Sequence, residues 1–87
     1  MFEIDYIEII GFIAAILTTS AFIPQVYRTW KTKDVKAISL TMYLVMFTGV
    51  LLWLLYGIYI NSLSMVIANS ITSILILSII IFKIKHR

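Results

Sequence analysis

Apolar positions in this chain fall into three long runs, 6–26, 40–60 and 63–82. A helix that crosses the hydrocarbon layer of a membrane needs about 20 mainly apolar residues at ~1.5 Å each. Each run meets that length, and with flanking residues the three predict helices at about 6–27, 39–60 and 63–83. None of them alternates with period two, and three strands could not close a barrel. The expected fold is therefore an all-α membrane protein, residues 1–87 forming a single bundle of three transmembrane helices. The few residues around Asn61 and Ser62 make helices two and three a tight antiparallel hairpin. The first connection, from Tyr27 to Ser39, is long enough to reach a helix that is not the nearest neighbour. Ser39 precedes the second apolar run and is the candidate N-cap.

The charges sit between and around the runs. Glu3, Asp5 and Glu8 open the chain, Arg28, Lys31, Lys33, Asp34 and Lys36 form a central cluster, and Lys83, Lys85 and Arg87 close it. All 7 basic residues lie in the first connection and the tail, which three spans put on one side. The positive-inside rule makes that side cytoplasmic and the acidic N-terminus external. The first run follows acidic rather than basic residues and is too long for a signal peptide.

Composition narrows the function. At 62% hydrophobic and 13% charged, with mean hydropathy +1.07, the chain cannot clothe a soluble domain of this size. The net charge of +3 comes from basic residues flanking apolar spans, a pattern of lipid contact rather than nucleic-acid binding. With no cysteine there is no disulfide framework and no thiolate metal site, and His86 lies in the basic tail. No nucleophile–base or metal constellation is present, so no enzymatic activity, metal or cofactor is expected.

Three helices pack around a line of side chains and leave no useful cavity. Transport of a polar solute would need assembly, most simply a homodimer of six helices with its site between the halves. Gly49 and Gly57 could permit close helix contact.

Polar groups at membrane depth face a bundle interior or an aqueous path. Most of the Ser and Thr side chains can bond their own helix backbone. Asn69, near the middle of helix three, has more donors and acceptors than that backbone can satisfy. It makes either an interhelical bond or a ligand contact. Trp53 lies well inside helix two and either packs or presents its indole face to a ligand, with Tyr56 one turn further on the same face. Pro24 either ends helix one before the basic loop or forms a hinge. No acidic, basic or His residue lies in the core of a span, which favours passive movement of a neutral polar solute over proton coupling.

Pro24-Gln25, followed by a basic loop and a second apolar span, resembles the PQ-loop proteins. Trp53 and Asn69, 16 positions apart on consecutive helices, and the three-span length make the chain similar to the bacterial SemiSWEET sugar transporters, half-size relatives of the eukaryotic SWEETs. The resemblance implies a parallel homodimer with helix three packed between helices one and two, in the bacterial inner membrane. It implies a central cavity for a mono- or disaccharide, with Trp53 and Asn69 as the sugar-binding pair, each present twice. Pro24 and Gln25 then form the hinge, Tyr56 lies near the outer gate, and Met42 and Met46 lie near the inner gate. Family members differ at charged outer-gate positions; here Ile60, Asn61 and Ser62 carry no charge, so outer closure is expected to rest on Tyr56 and neutral hydrogen bonds. The function expected is facilitative uniport by alternating access. The alternatives are a PQ-loop transporter of another small neutral solute and a non-transporting accessory subunit.

Overall fold

A computed structural model describes residues 5–86; Glu3 and Arg87 lie outside the described residues. The chain forms three helices, α1 (Tyr6–Thr32), α2 (Leu40–Tyr59) and α3 (Leu63–His86). All three are long and apolar enough to cross a membrane.

Each boundary has a local cause. Asp5 caps α1 by accepting from the Glu8 amide at 3.0 Å. Helix α1 then runs through Pro24 and past the end of the apolar run, to Thr32. The hydroxyls of Thr29 and Thr32 bond back to the carbonyls of Gln25 and Arg28, and Lys31 in the last turn suits the helix dipole. Lys33 ends the helix in the left-handed conformation (φ 57°), its amide donating to the Thr29 carbonyl at 2.8 Å. The first connection therefore starts at Lys33 rather than Tyr27. Val35 is buried in this loop, and Lys83 of α3 donates to its carbonyl at 2.9 Å.

Ser39 caps α2, its hydroxyl accepting from the Met42 amide at 3.2 Å. Ser39→Ala should cost about 1 kcal/mol of stability and Ser39→Gly only a few tenths. No loss for Ser39→Ala in a denaturant titration would show that the cap bond contributes nothing.

The hairpin between α2 and α3 is a Schellman closure. The Ser62 amide donates to the Gly57 carbonyl at 2.9 Å and the Asn61 amide to the Ile58 carbonyl at 3.2 Å. Asn61 takes the required left-handed conformation (φ 60°), which Asn tolerates well. Ser62 serves both helices, since its hydroxyl also accepts from the Met65 amide at the start of α3.

Helix α3 packs against both α1 and α2, whose backbones do not come close to each other. The order in space is therefore α1–α3–α2, the arrangement the resemblance implied. The bulky core lies in the half of the bundle nearer the basic loop. There Tyr43, Ile76, Ile79 and Ile80 are buried, with Phe22, Val26, Met46, Phe47 and Val50 packed around them. In the other half the helices meet through small residues. A Cβ on Gly11 would fall on the Ser64 side chain, and one on Gly57 would lie 2.9 Å from the Met65 Cβ. Gly49 has nothing within 4 Å, so within the protomer Gly57 alone of that pair serves close approach.

Candidate functional site

The spacing of buried and exposed positions divides α1 into three stripes, each repeating at four- and three-residue steps. Phe12, Ala15, Thr19, Phe22, Val26 and Thr29 are buried or half-buried and form one seam. Ile9, Ile13, Ile16, Ile23, Tyr27 and Trp30 are exposed, large and apolar, as a lipid-facing stripe should be, with the exposed Ser20 the one polar member at that spacing. Ala14, Thr18, Ala21, Gln25 and Arg28 are equally exposed but small or polar. A stripe of that composition is poorly matched to lipid.

Helix α3 has its own lipid stripe, Ile67, Ile71, Ile74, Leu77, Ile81 and Ile84. Asn69 lies on its opposite side. The Asn69 amide donates one hydrogen bond, to the Met65 carbonyl of its own helix at 2.8 Å. Among the described residues its second N–H and its carbonyl oxygen have no hydrogen-bond partner, so no interhelical bond is made within the protomer. Thr18, Thr48, Ser73 and Ser78 each bond a carbonyl of their own helix, the local use expected of them.

On α2, Met42, Met46, Gly49, Trp53 and Tyr56 follow the same four-and-three spacing beside the face that packs on α3. Trp53 is 56% exposed and Tyr56 51%, their rings in edge-to-face contact at 5.5 Å. Met42 is half exposed, whereas Met46 packs on the buried core. The protomer therefore does not enclose its Trp53; that face is open.

Pro24 does not end α1. Eight more helical residues follow it, so the reading of Pro24 as a terminator is overturned. A proline here removes the donor for the Ser20 carbonyl and makes a bendable point inside a span. At the next residue, the Gln25 side chain donates to the buried Tyr43 hydroxyl of α2 at 2.5 Å. It is the one hydrogen bond joining α1 to α2 among the described residues. A groove of about 570 Å³ lies here, lined by Pro24, Gln25, Arg28, Thr32, Asp34 and Ile38 among others.

At the other end of α1 a second polar groove, of about 680 Å³, is lined by Asp5, Glu8, Gly11, Asn61, Ser62 and Ser64 among others. Neither groove includes Trp53 or Asn69 in its lining. Glu8, which the sequence shows only as one of three acids opening the chain, is the functional residue that sequence reasoning misses. Its signal was an acid inside the first apolar run and a Ser-x-Ser at the start of the third. Those positions are 54 and 56 residues away from Glu8, and only the bundle unites them.

Residues 6–64 match the PQ loop repeat family. The sugar transporter SemiSWEET of Leptospira biflexa is 42% identical over 79 residues, covering 91% of this chain and 93% of that protein. The SemiSWEET of Bradyrhizobium diazoefficiens is 39% identical over 80 residues, 92% and 93% of the two chains. The crystal structure of a bacterial homologue of SWEET transporters superposes with a TM-score of 0.90 at 42% identity, covering 95% of this chain and all of that one. A SemiSWEET in the inward-open conformation gives 0.87 at 35% identity, covering 94% and 88%. Sequence and fold agree across nearly the full length, and this multi-pass membrane protein belongs to the SemiSWEET family of PQ-loop proteins.

Proposed function

We propose that the chain is a facilitative transporter of a mono- or disaccharide, working by alternating access as a parallel homodimer of six helices. The observation that carries the reading is the open face of α2. Trp53 is 56% exposed there, and an Asn69 amide with unspent donor and acceptor capacity lies on the adjoining helix. A second copy of the chain would turn this half-site into a closed one. The relatives, named as sugar transporters, supply the solute class.

Each residue type suits a sugar. The indole faces of two Trp53 residues stack on the apolar C–H faces of the ring. Two Asn69 amides donate to and accept from its hydroxyls. The small and polar stripe of α1, from Ala14 to Arg28, provides a path that lipid does not fill. Bending at Pro24 opens the inner side, with the Gln25–Tyr43 bond as the contact to be broken. Met42 lines the inner gate with Met46 behind it, and Tyr56 narrows the outer one. The N-terminus is external and the basic loop and tail cytoplasmic, in the inner membrane of a bacterial cell. The spans hold no titratable relay in their cores, so the sugar equilibrates rather than accumulates.

Sugar flux into liposomes holding the purified protein tests this. Glucose or sucrose flux should saturate, and an uncoupler should leave the final distribution unchanged. Asn69→Ala should reduce flux by about 30-fold or more, two lost hydrogen bonds costing about 1 kcal/mol each or somewhat more. A folded dimer that moves neither sugar would count against the reading.

A further inference from the structure

The only acidic side chain inside an apolar span is tied down at the outer end of the bundle. Glu8 of α1 takes bonds from three groups at the start of α3. Its Oε1 accepts from the Ser62 hydroxyl at 2.7 Å, the Ser64 amide at 2.9 Å and the Ser64 hydroxyl at 2.9 Å. Its Oε2 lies 3.2 Å from the Ser62 hydroxyl and 3.1 Å from that of Ser64. Both serines are buried. The first turn of a helix carries unpaired amides and the positive end of the dipole, so a carboxylate is well matched there. Gly11, one turn along α1, makes the approach possible, because any side chain at that position would strike Ser64.

The two halves of α1 are therefore attached by different physics. The outer half is fixed to α3 by several directional bonds to one charged group. The inner part, beyond Pro24, rests on Val26 against an apolar core, together with the neutral Gln25–Tyr43 bond. Apolar contact is non-directional and tolerates sliding; charge-assisted hydrogen bonds hold a geometry.

We infer that Glu8 is a positioning residue, a carboxylate latch on Ser62 and Ser64 that holds the outer half of α1 to α3 so that bending at Pro24 swings the inner half alone. The inference rests on the alternating-access reading for its motion, but the latch can be tested apart from transport.

The chain has no native cysteine, so spin-label pairs can be placed without background. An outer pair at Ile10→Cys and Ile67→Cys and an inner pair at Tyr27→Cys and Ile81→Cys use exposed positions on α1 and α3. Labelled chain is diluted with excess unlabelled chain in lipid nanodiscs, and distances are read by pulsed electron resonance with and without sugar. In the native protein the outer pair should give one narrow distance that sugar does not move, while the inner pair redistributes. In Glu8→Ala the single outer distance should be lost, with the inner pair still responding. Glu8→Gln, which keeps one acceptor oxygen, should restore part of the narrow distribution. If Glu8→Ala does not fold, the Ser62→Ala, Ser64→Ala double variant removes both hydroxyl donors, keeps the backbone amide at 64, and should broaden the outer distance. An outer pair unchanged by these substitutions, or one that shifts with sugar as the inner pair does, overturns the latch. An outer pair that behaves as expected beside an inner pair silent to every sugar supports the latch and counts against the sugar-carrier reading.

Discussion

Trp53→Ala should weaken sugar binding by roughly 70-fold while leaving the helical bundle intact. The ring is 56% exposed in the protomer and makes one aromatic contact, the edge-to-face pairing with Tyr56. Removing it therefore costs the fold little. Stacking of a sugar face on each ring would bury roughly 50 Å² of apolar surface, worth about 1.2 kcal/mol at ~25 cal/mol per Å². Two rings in a dimer lose about 2.5 kcal/mol, roughly 70-fold in affinity. Titration of the purified variant with sugar, beside circular dichroism of the same sample, measures both halves of the expectation. Unchanged sugar affinity in a folded variant would place the site elsewhere. Trp53→Phe should retain part of the affinity, since a smaller flat ring can still stack.

Gly57→Val should be the most damaging single change to the fold. A Cβ there already lies 2.9 Å from the Met65 Cβ and 3.5 Å from the Val66 backbone nitrogen, atoms that cannot turn aside. The three-residue hairpin that follows holds α2 and α3 together, and its closure takes the Gly57 carbonyl as an acceptor. Overpacking at such a point costs about 1–3 kcal/mol. Thermal unfolding in detergent should show a clear fall in midpoint for Gly57→Val and a much smaller one for Gly49→Ala. Equal falls would show that Gly57 is not a special point of approach.

These two residues sit four positions apart on one helix and answer to different demands. Gly57 is held by its own protomer. Trp53 lies on a stripe with Met42, Gly49 and Tyr56 that α3 leaves largely uncovered. The same division runs along α1, where Thr19, Phe22 and Val26 meet the bundle and Ala14, Thr18 and Ala21 do not. These two open stripes are the observation behind the proposal that the chain is one unit of a dimer.

The amino-acid sequence by itself determined the class of fold, the number of spans and the short hairpin, because each depends on local quantities. Twenty apolar residues in a row must be helical in lipid, since every backbone group has to be satisfied within the segment. The Ser39 cap was legible for the same reason: capping is settled within four residues. So was the family, through Pro24-Gln25 and the spacing of Trp53 and Asn69. Where α1 ends was not legible, because hydropathy marks the membrane and not the helix; hydroxyl back-bonding and a left-handed Lys33 carry it on to Thr32. Only the tertiary structure decided which glycine is a contact, that Asn69 spends one donor on its own helix, and that Gln25 reaches Tyr43. It alone joined Glu8 to Ser62 and Ser64. Those partners lie more than fifty residues apart in the chain, and nothing local to either end specifies the other. They meet because α3 lies between α1 and α2, a packing order that hydropathy does not encode.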